Sequence, residues 1–226
     1  MKKLTVLFVL GSAILLGVVA GSSVAFAAGS NSAEQNKILD HCQYLPLATN
    51  LAFPKKFGAK NTTVCVDIPV HVEKAKMVFN MDTNTVDGKG NSTGLKHMVM
   101  MGNVMKDAIA KGQIKPENVD IIGIMHGSAL KWLVKPVAPQ QKKWVEAIFK
   151  LKREGVNIHL EACAAAMNGA HLTKKNLFSY DANGNPDPKA GGRVYVNQGA
   201  FARELYLENH GYAYFEEGYN YHGKNK

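Results

Sequence analysis

Short apolar segments alternate with longer amphipathic segments along most of this chain, and this alternation constrains the fold more than any other feature. Residues 120–125 (DIIGIM) form a pattern typical of a strand buried on both sides. Residues 140–154 follow with apolar side chains at helical spacing and end at Gly155. Strands separated by helices of this length pair in parallel through right-handed crossovers. The sequence therefore predicts a single open, mainly parallel α/β sheet with helices on both faces.

The remaining predicted elements continue this alternation. Strands are predicted at residues 76–81, 156–162, 193–196 and 212–215, and helices at residues 94–111, at residues 201–209 and directly after Cys163. In the strand at 156–162, Asn157, His159 and Glu161 alternate with apolar residues, so one side of this strand is polar. We therefore expect it at the edge of the sheet, or covered by the N-terminal segment or by another subunit.

Cys163 lies where this strand gives way to the helix-forming run AAAM at residues 164–167. At such a junction, backbone N–H groups and the helix dipole favour the thiolate, which is the reactive form of the side chain. The position predicts an accessible nucleophile at the entrance of a pocket. A small buried thiol at a tight junction is the alternative, and position alone favours neither interpretation.

The run CAAAM at residues 163–167, with Gly169 close behind, resembles the active-cysteine segment of the DsrE/DsrF-like (DsrE/TusD) family of sulfur-relay proteins. The similarity extends diffusely over residues 70–217, through a strand ending in His126-Gly127 and a closing GYAY at residues 211–214. The resemblance implies a sulfurtransferase or sulfur carrier with a persulfide on Cys163. It also implies a trimer or hexamer, and a sulfur donor or acceptor protein or a small sulfur anion as partner.

His126 follows the strand at 120–125, and Gly127 after it permits a sharp turn. Ligands of open parallel sheets gather at the carboxyl ends of the strands, where Cys163 is also predicted. An imidazolium within reach of Cys163 would favour the thiolate, and a neutral ring would accept its proton. A hydrogen bond of His126 within its own loop is the alternative.

The polar segment before the helix at 94–111 provides a third candidate group at this end of the sheet. Ser92 or Thr93 is predicted to cap that helix. Lys89, Ser92 and Thr93, with the backbone N–H groups at the helix start, are candidates for holding an oxyanion such as thiosulfate or sulfite. The glycine spacing matches no nucleotide-binding loop, and a flexible surface loop is the alternative.

The chain begins with Lys2 and Lys3, an apolar stretch over residues 4–20 and the sequence AFA at residues 25–27. This pattern predicts a signal peptide over residues 1–27 and a periplasmic or secreted protein with no stable membrane anchor after cleavage. An uncleaved anchor is the alternative. Cleavage removes two lysines from a formal net charge of +9 and leaves +7. For an exported protein, this basic charge does not make nucleic acid an expected partner.

Residues 28–69 are predicted to be an irregular extension, and residues 218–226 a flexible tail. A disulfide between Cys42 and Cys65 would close the extension, would stabilise it by about 3 kcal/mol and would leave Cys163 free. A bond from Cys163 to either of the other two cysteines is the alternative, and it would make Cys163 part of a structural disulfide or of the resting redox pair of a thiol-redox protein.

No metal and no cofactor is predicted. Met98, Met100, Met101 and Met105 lie near His97, and thioether and imidazole groups suit copper. Three of these methionines fall at helical spacing, however, and are predicted to be core residues. The sequence contains neither a CxxCH haem motif nor HExxH. The favoured function is an exported sulfur carrier, and the alternatives are a thiol-redox protein and a non-catalytic binding or assembly module for a small anion or protein partner.

Overall fold

The computed structural model describes residues 40–41, 43–46, 63–66 and 72–217. The predicted signal peptide, Cys42 and the predicted tail lie outside the described residues. Within the extension, β1 (Gln43–Pro46) and β2 (Thr63–Val66) form an antiparallel pair. This short pairing was not predicted, because neither segment is long enough to show a strand period.

Five parallel strands form the main sheet, which confirms the predicted α/β fold. The strands are β3 (Ala75–Met81), β4 (Val119–Met125), β5 (Ile158–Cys163), β6 (Val194–Asn197) and β7 (Ala213–Glu216). Their order across the sheet is β6-β5-β4-β3-β7, and every neighbouring pair is parallel. The last strand therefore lies beside the first strand of the sheet.

Four α-helices connect or follow these strands. They are α1 (Thr93–Ala110), α2 (Pro139–Arg153), α3 (Ala164–Gly169) and α4 (Ala200–Asn209). The chain moves in one direction across the sheet through α1 and α2, then returns through α4 to the far side of β3. Because both kinds of crossover are right-handed, α1 and α2 cover one face and α4 covers the other.

The α1/α2 face carries the main hydrophobic core. Met77, Phe79, Ile121 and Leu160 alternate along the strands toward this core. Gly123 has the same orientation on β4, and a Cβ atom there would lie 2.6 Å from Met98 Sδ of α1. Glycine at this position therefore lets α1 pack close to the middle of the sheet.

The α4 face has a smaller apolar cluster and buried polar groups between its apolar residues. Its buried hydrophobic residues are Val78, Ile122, Ile124, Cys163, Ala200 and Leu207. Asn80 and Glu161 are buried on the sheet, and Arg203 of α4 reaches Glu161. The expectation that β5 lies at an edge, or is covered by the N-terminal segment or another subunit, is wrong. β5 lies between β4 and β6, and α4 of the same chain covers its polar side.

Candidate functional site

Cys163 ends β5 and caps the start of α3, as the sequence pattern predicts. Its Sγ accepts hydrogen bonds from the backbone N–H of Ala166, at 3.4 Å, and of Ala200, at 3.2 Å. Ala200 is the first residue of α4, so the sulfur lies at the amino ends of two helices. Both donors would stabilise negative charge on this atom.

The sequence predicts an accessible nucleophile, but the structure buries this residue, because Cys163 is only 4% exposed. It packs in the apolar cluster of the α4 face, and the first turn of α4 lies against it. Burial follows from the return of the chain across the sheet, which places α4 over the end of β5. The first turn of α4 is therefore part of what separates the sulfur from solvent.

The structure describes two of the three cysteines, and they differ in state. Cys163 is a free thiol, so it is bonded to neither of the other two in this structure. Cys65 is disulfide-bonded. Cys42 lies outside the described residues, and the Cys42–Cys65 pairing therefore stays a prediction.

His126 lies beside Cys163 at the carboxyl edge of the sheet. The last paired residues of β4 and β5 are Met125 and Ala162, so His126 and Cys163 occupy the next positions on neighbouring strands. Both continue the alternation that faces α4. The imidazole Nε2 bonds Asn80 Oδ1 at 2.7 Å rather than the sulfur. The structure thus brings the two predicted residues to one edge and gives the histidine another partner.

Asn80 links His126 to β7. Its Nδ2 donates to Tyr214 OH at 2.7 Å and to Glu216 Oε2 at 2.9 Å, and the Tyr214 hydroxyl donates to the same carboxylate at 2.5 Å. Burial and the Glu216 hydrogen bond raise the pKa of Tyr214. The Tyr214 phenol therefore keeps its proton. The Asn80 side chain is held at its oxygen by His126 and at its nitrogen by Tyr214 and Glu216.

Glu204 of α4 is a residue of this site that the sequence analysis missed. Its Oε1 lies 3.9 Å from His126 Nε2, and within the described residues this buried oxygen has no hydrogen-bond partner. Burial, followed by the charges of Glu216, Glu208 and Asp82, raises the pKa of Glu204 to about 7. Ala200, Glu204 and Leu207 have the spacing of one helix face, and this spacing is the sequence signal that could have identified Glu204.

Glu161 and Arg203 fasten α4 to β5 close to the sulfur. The Glu161 carboxylate accepts from His159 Nε2 at 3.0 Å, Asn197 Nδ2 at 2.9 Å and Arg203 Nη2 at 2.8 Å. Burial alone would raise the pKa of Glu161, but the bonds from His159, Arg203 and Asn197 outweigh it and lower the pKa to about 2. Because Arg203 lies one turn after Ala200, this ion pair holds the Ala200 N–H over Cys163.

Residues of the predicted anion-binding group have hydrogen-bond partners of their own. Ser92 caps α1, as predicted, by accepting from Leu95 N–H at 3.3 Å, and its own N–H donates to Gln141 Oε1 of α2. The backbone N–H of Lys89 donates to the Asp87 carboxylate, so an anionic side chain already occupies the loop. The Gln141 contact places Ser92 beside α2.

The methionines of α1 include core residues. Met98 is fully buried and Met105 is 8% exposed, whereas Met100 is 46% exposed. His97 Nδ1 bonds the Glu217 carboxylate at 2.9 Å, and this hydrogen bond raises the pKa of His97. Among residues 72–217 and the described parts of the extension, no three His, Cys, Asp or Glu side chains are grouped to hold a metal ion. No helix within the same residues has the length and apolar character needed to cross a membrane.

Comparison with known proteins identifies no family for this chain. No family model matches it, and no curated protein matches it. Among solved structures, it is similar to MTH1491 from Methanobacterium thermoautotrophicum, which is described as a protein of unknown function. The two are 14% identical with a TM-score of 0.40, over 63% of this chain and 99% of that one. This similarity assigns no activity to the site around Cys163.

Proposed function

We propose that this protein carries sulfane sulfur as a persulfide on Cys163. The observation that supports the proposal is the pair of backbone N–H groups, from Ala166 and Ala200, that donate to a free Sγ. Such donors favour a thiolate, and the thiolate is the form that attacks sulfur. The resemblance of the CAAAM run to sulfur-relay proteins agrees with this proposal but is independent of it.

The transfer needs no external oxidant or reductant. The Cys163 thiolate attacks the outer sulfur of a donor persulfide, a new S–S bond forms, and the donor leaves as its thiolate. An acceptor thiolate then attacks the terminal sulfur, so that the S–S bond to Cys163 breaks and its thiolate returns. The partner is a sulfur donor or acceptor protein or a small sulfur anion, and the exchange takes place outside the cytoplasm if the predicted signal peptide is cleaved.

Access to the sulfur depends on α4. Cys163 is 4% exposed beneath the first turn of this helix, which Arg203 holds to Glu161. We propose that a donor protein displaces this turn when it binds, because the Ala200 N–H of this turn lies 3.2 Å from Sγ. Small thiol reagents should then label Cys163 slowly in the folded protein.

An intact-mass measurement tests the proposal. The purified protein is freed of reductant and incubated with a low-molecular-weight persulfide, with polysulfide or with thiosulfate. We expect one added sulfur atom that dithiothreitol removes and that Cys163→Ser lacks. Asn157→Leu is a matched control for substitution on the surface near β5, because Asn157 is exposed, and it should keep the adduct. The absence of an adduct with all three donors, while an alkylating reagent still labels Cys163, would contradict the proposal.

The burial of Cys163 favours a second candidate, a non-catalytic assembly module. On α4, Phe201 is 80% exposed, Leu205 is 49% exposed and Tyr206 is 53% exposed. An exposed apolar helix surface fits a further copy of this chain, in line with the predicted trimer or hexamer. Because the sulfur carrier is also expected to be a trimer or hexamer, sedimentation of the protein and of Phe201→Ser separates the candidates only together with the intact-mass measurement. A larger species that Phe201→Ser dissociates, together with no sulfur adduct, supports the module.

A further inference from the structure

The hydrogen bonds around Asn80 determine which nitrogen of His126 carries the proton. Asn80 is 6% exposed and lies on β3 directly beside β4 and β7. Its amide nitrogen is 2.9 Å from Glu216 Oε2, and the opposite orientation would place the amide oxygen against that carboxylate. The amide oxygen therefore faces His126, and it can only accept a hydrogen bond.

His126 Nε2 must then be the donor in its 2.7 Å contact with Asn80 Oδ1. In a neutral imidazole one nitrogen carries the proton and the other has a lone pair. Nδ1 is thus the nitrogen with the lone pair, and among the described residues it has no hydrogen-bond partner. A base whose second nitrogen is fixed by an amide or a carboxylate is a recurrent arrangement beside nucleophiles.

We infer that Asn80 is a positioning residue that holds neutral His126 as the Nε2–H tautomer, so that Nδ1 exchanges the proton of the sulfur chemistry at Cys163. The proton leaves the Cys163 thiol, or the thiol of an acceptor, for Nδ1, and it returns to the departing thiolate when the S–S bond breaks. Glu216 and Tyr214 of β7 act through Asn80, because they fix the orientation of its amide. The role in proton transfer rests on the proposed function, whereas the tautomer does not.

The other charged groups around this ring do not assign its tautomer. Glu204 of α4 lies 3.9 Å from Nε2, the same nitrogen that Asn80 binds, and so it adds a second acceptor on that side. Asp82, at the end of β3, and Glu208, on α4, contribute charge near Glu204. Among the residues that the structure describes, only Asn80 makes a hydrogen bond of normal length to the ring.

Long-range proton–nitrogen correlation spectra of the uniformly ¹⁵N-labelled protein test the inference. The chain has eight histidines, and His126→Gln identifies the signals of His126 by their loss. At a pH where the ring is neutral, we expect the pattern of an Nε2–H tautomer in the wild-type protein. An Nδ1–H pattern in the wild-type protein would overturn the inference without any further variant.

Two variants test the role of the amide. Asn80→Leu removes the acceptor, and we expect a mixture of tautomers and a transfer rate from Cys163 to an acceptor thiol reduced about tenfold. The double variant Asn80→Asp with Glu216→Gln exchanges the charge and the amide between the two positions, and it should restore the Nε2–H tautomer. An unchanged tautomer in folded Asn80→Leu would overturn the positioning role. If Cys163 takes no sulfur while the Nε2–H pattern is present, the proposed function fails and the tautomer assignment stands.

Discussion

The two faces of the sheet are built from the same strands and differ in what their side chains do. On the α1/α2 face, successive residues such as Met77, Phe79 and Leu160 are apolar, and two long helices cover them. On the α4 face, Asn80 and Glu161 are buried among a few apolar side chains, and one shorter helix covers them. The stability of the domain therefore depends mainly on the α1/α2 face. The α4 face contains buried polar groups that have specific hydrogen-bond partners.

The strongest test of this difference compares one truncation on each face. Ile148 of α2 is fully buried and Leu207 of α4 is 1% exposed. We expect Ile148→Ala to lower the free energy of unfolding by about 2–5 kcal/mol, and Leu207→Ala to lower it by about 2 kcal/mol because its apolar cluster is smaller. Urea denaturation measures both values.

Thiol labelling of the same two variants tests whether α4 controls access to Cys163. Leu207 packs in the cluster that contains Cys163, so Leu207→Ala should speed the labelling of Cys163 in the folded protein. Ile148→Ala should leave that rate unchanged under conditions where it is folded. Equal labelling rates in the two variants would mean that α4 does not control access to the sulfur.

The next expected effect is the pH dependence caused by Glu161. Its pKa falls from 4.5 to about 2 on folding, so its contribution to stability is present above pH 4.5 and is lost as the pH falls toward 2. This shift corresponds to about 3 kcal/mol. We therefore expect the stability difference between wild type and Glu161→Gln to shrink by about that amount from pH 5 to pH 2, as measured by urea denaturation. A constant difference would show that the hydrogen bonds from His159, Arg203 and Asn197 do not lower the pKa of Glu161.

Glu204 should give a smaller effect of opposite sign. Its pKa rises to about 7 on folding, so stability is lost as the pH rises from 4.5 through 7. We expect Glu204→Gln to be more stable than the wild type at pH 8, by about 1.5 kcal/mol once solvent screening is allowed for, and similar to it at pH 4.5. Glu117→Gln is the control, because Glu117 is exposed and is not among the groups whose charge raises the pKa of Glu204, so it should show no such trend.

The smallest predicted effect concerns the α1 cap on the α1/α2 face. Ser92→Ala removes the acceptor for Leu95 N–H and should lower the free energy of unfolding by about 1 kcal/mol. Thr93→Ala is the matched control and should cost less, because Thr93 is not the capping residue. Neither change should alter the sulfur adduct on Cys163. A lost adduct in Ser92→Ala would instead support the predicted anion-binding role of this loop.

The sequence predicted the order of elements well because the apolar periods of β4 and α2 are clear. It also placed Cys163 and His126 at strand ends, where side chains from distant segments meet. It did not predict that β7 pairs with β3 at the edge of the sheet. For this reason it did not identify Asn80 and Glu216 as residues of the site. A strand of four residues is too short for its sequence pattern to indicate which strand it pairs with. A single carboxyl such as Glu204, even at helical spacing with Ala200 and Leu207, does not by itself indicate a buried group of a site.

The position of β7 also has a consequence for the order of folding. Glu216 and Asn80 are 136 residues apart in the chain, although they are neighbours in the sheet. Closing so long a separation costs chain entropy that local helix contacts do not, so β3 gains its second partner late in folding. Until then, β3 presents an open edge, and the surroundings of His126 are incomplete. The chain can therefore form most of its hydrophobic core before the groups around its sulfur atom are assembled.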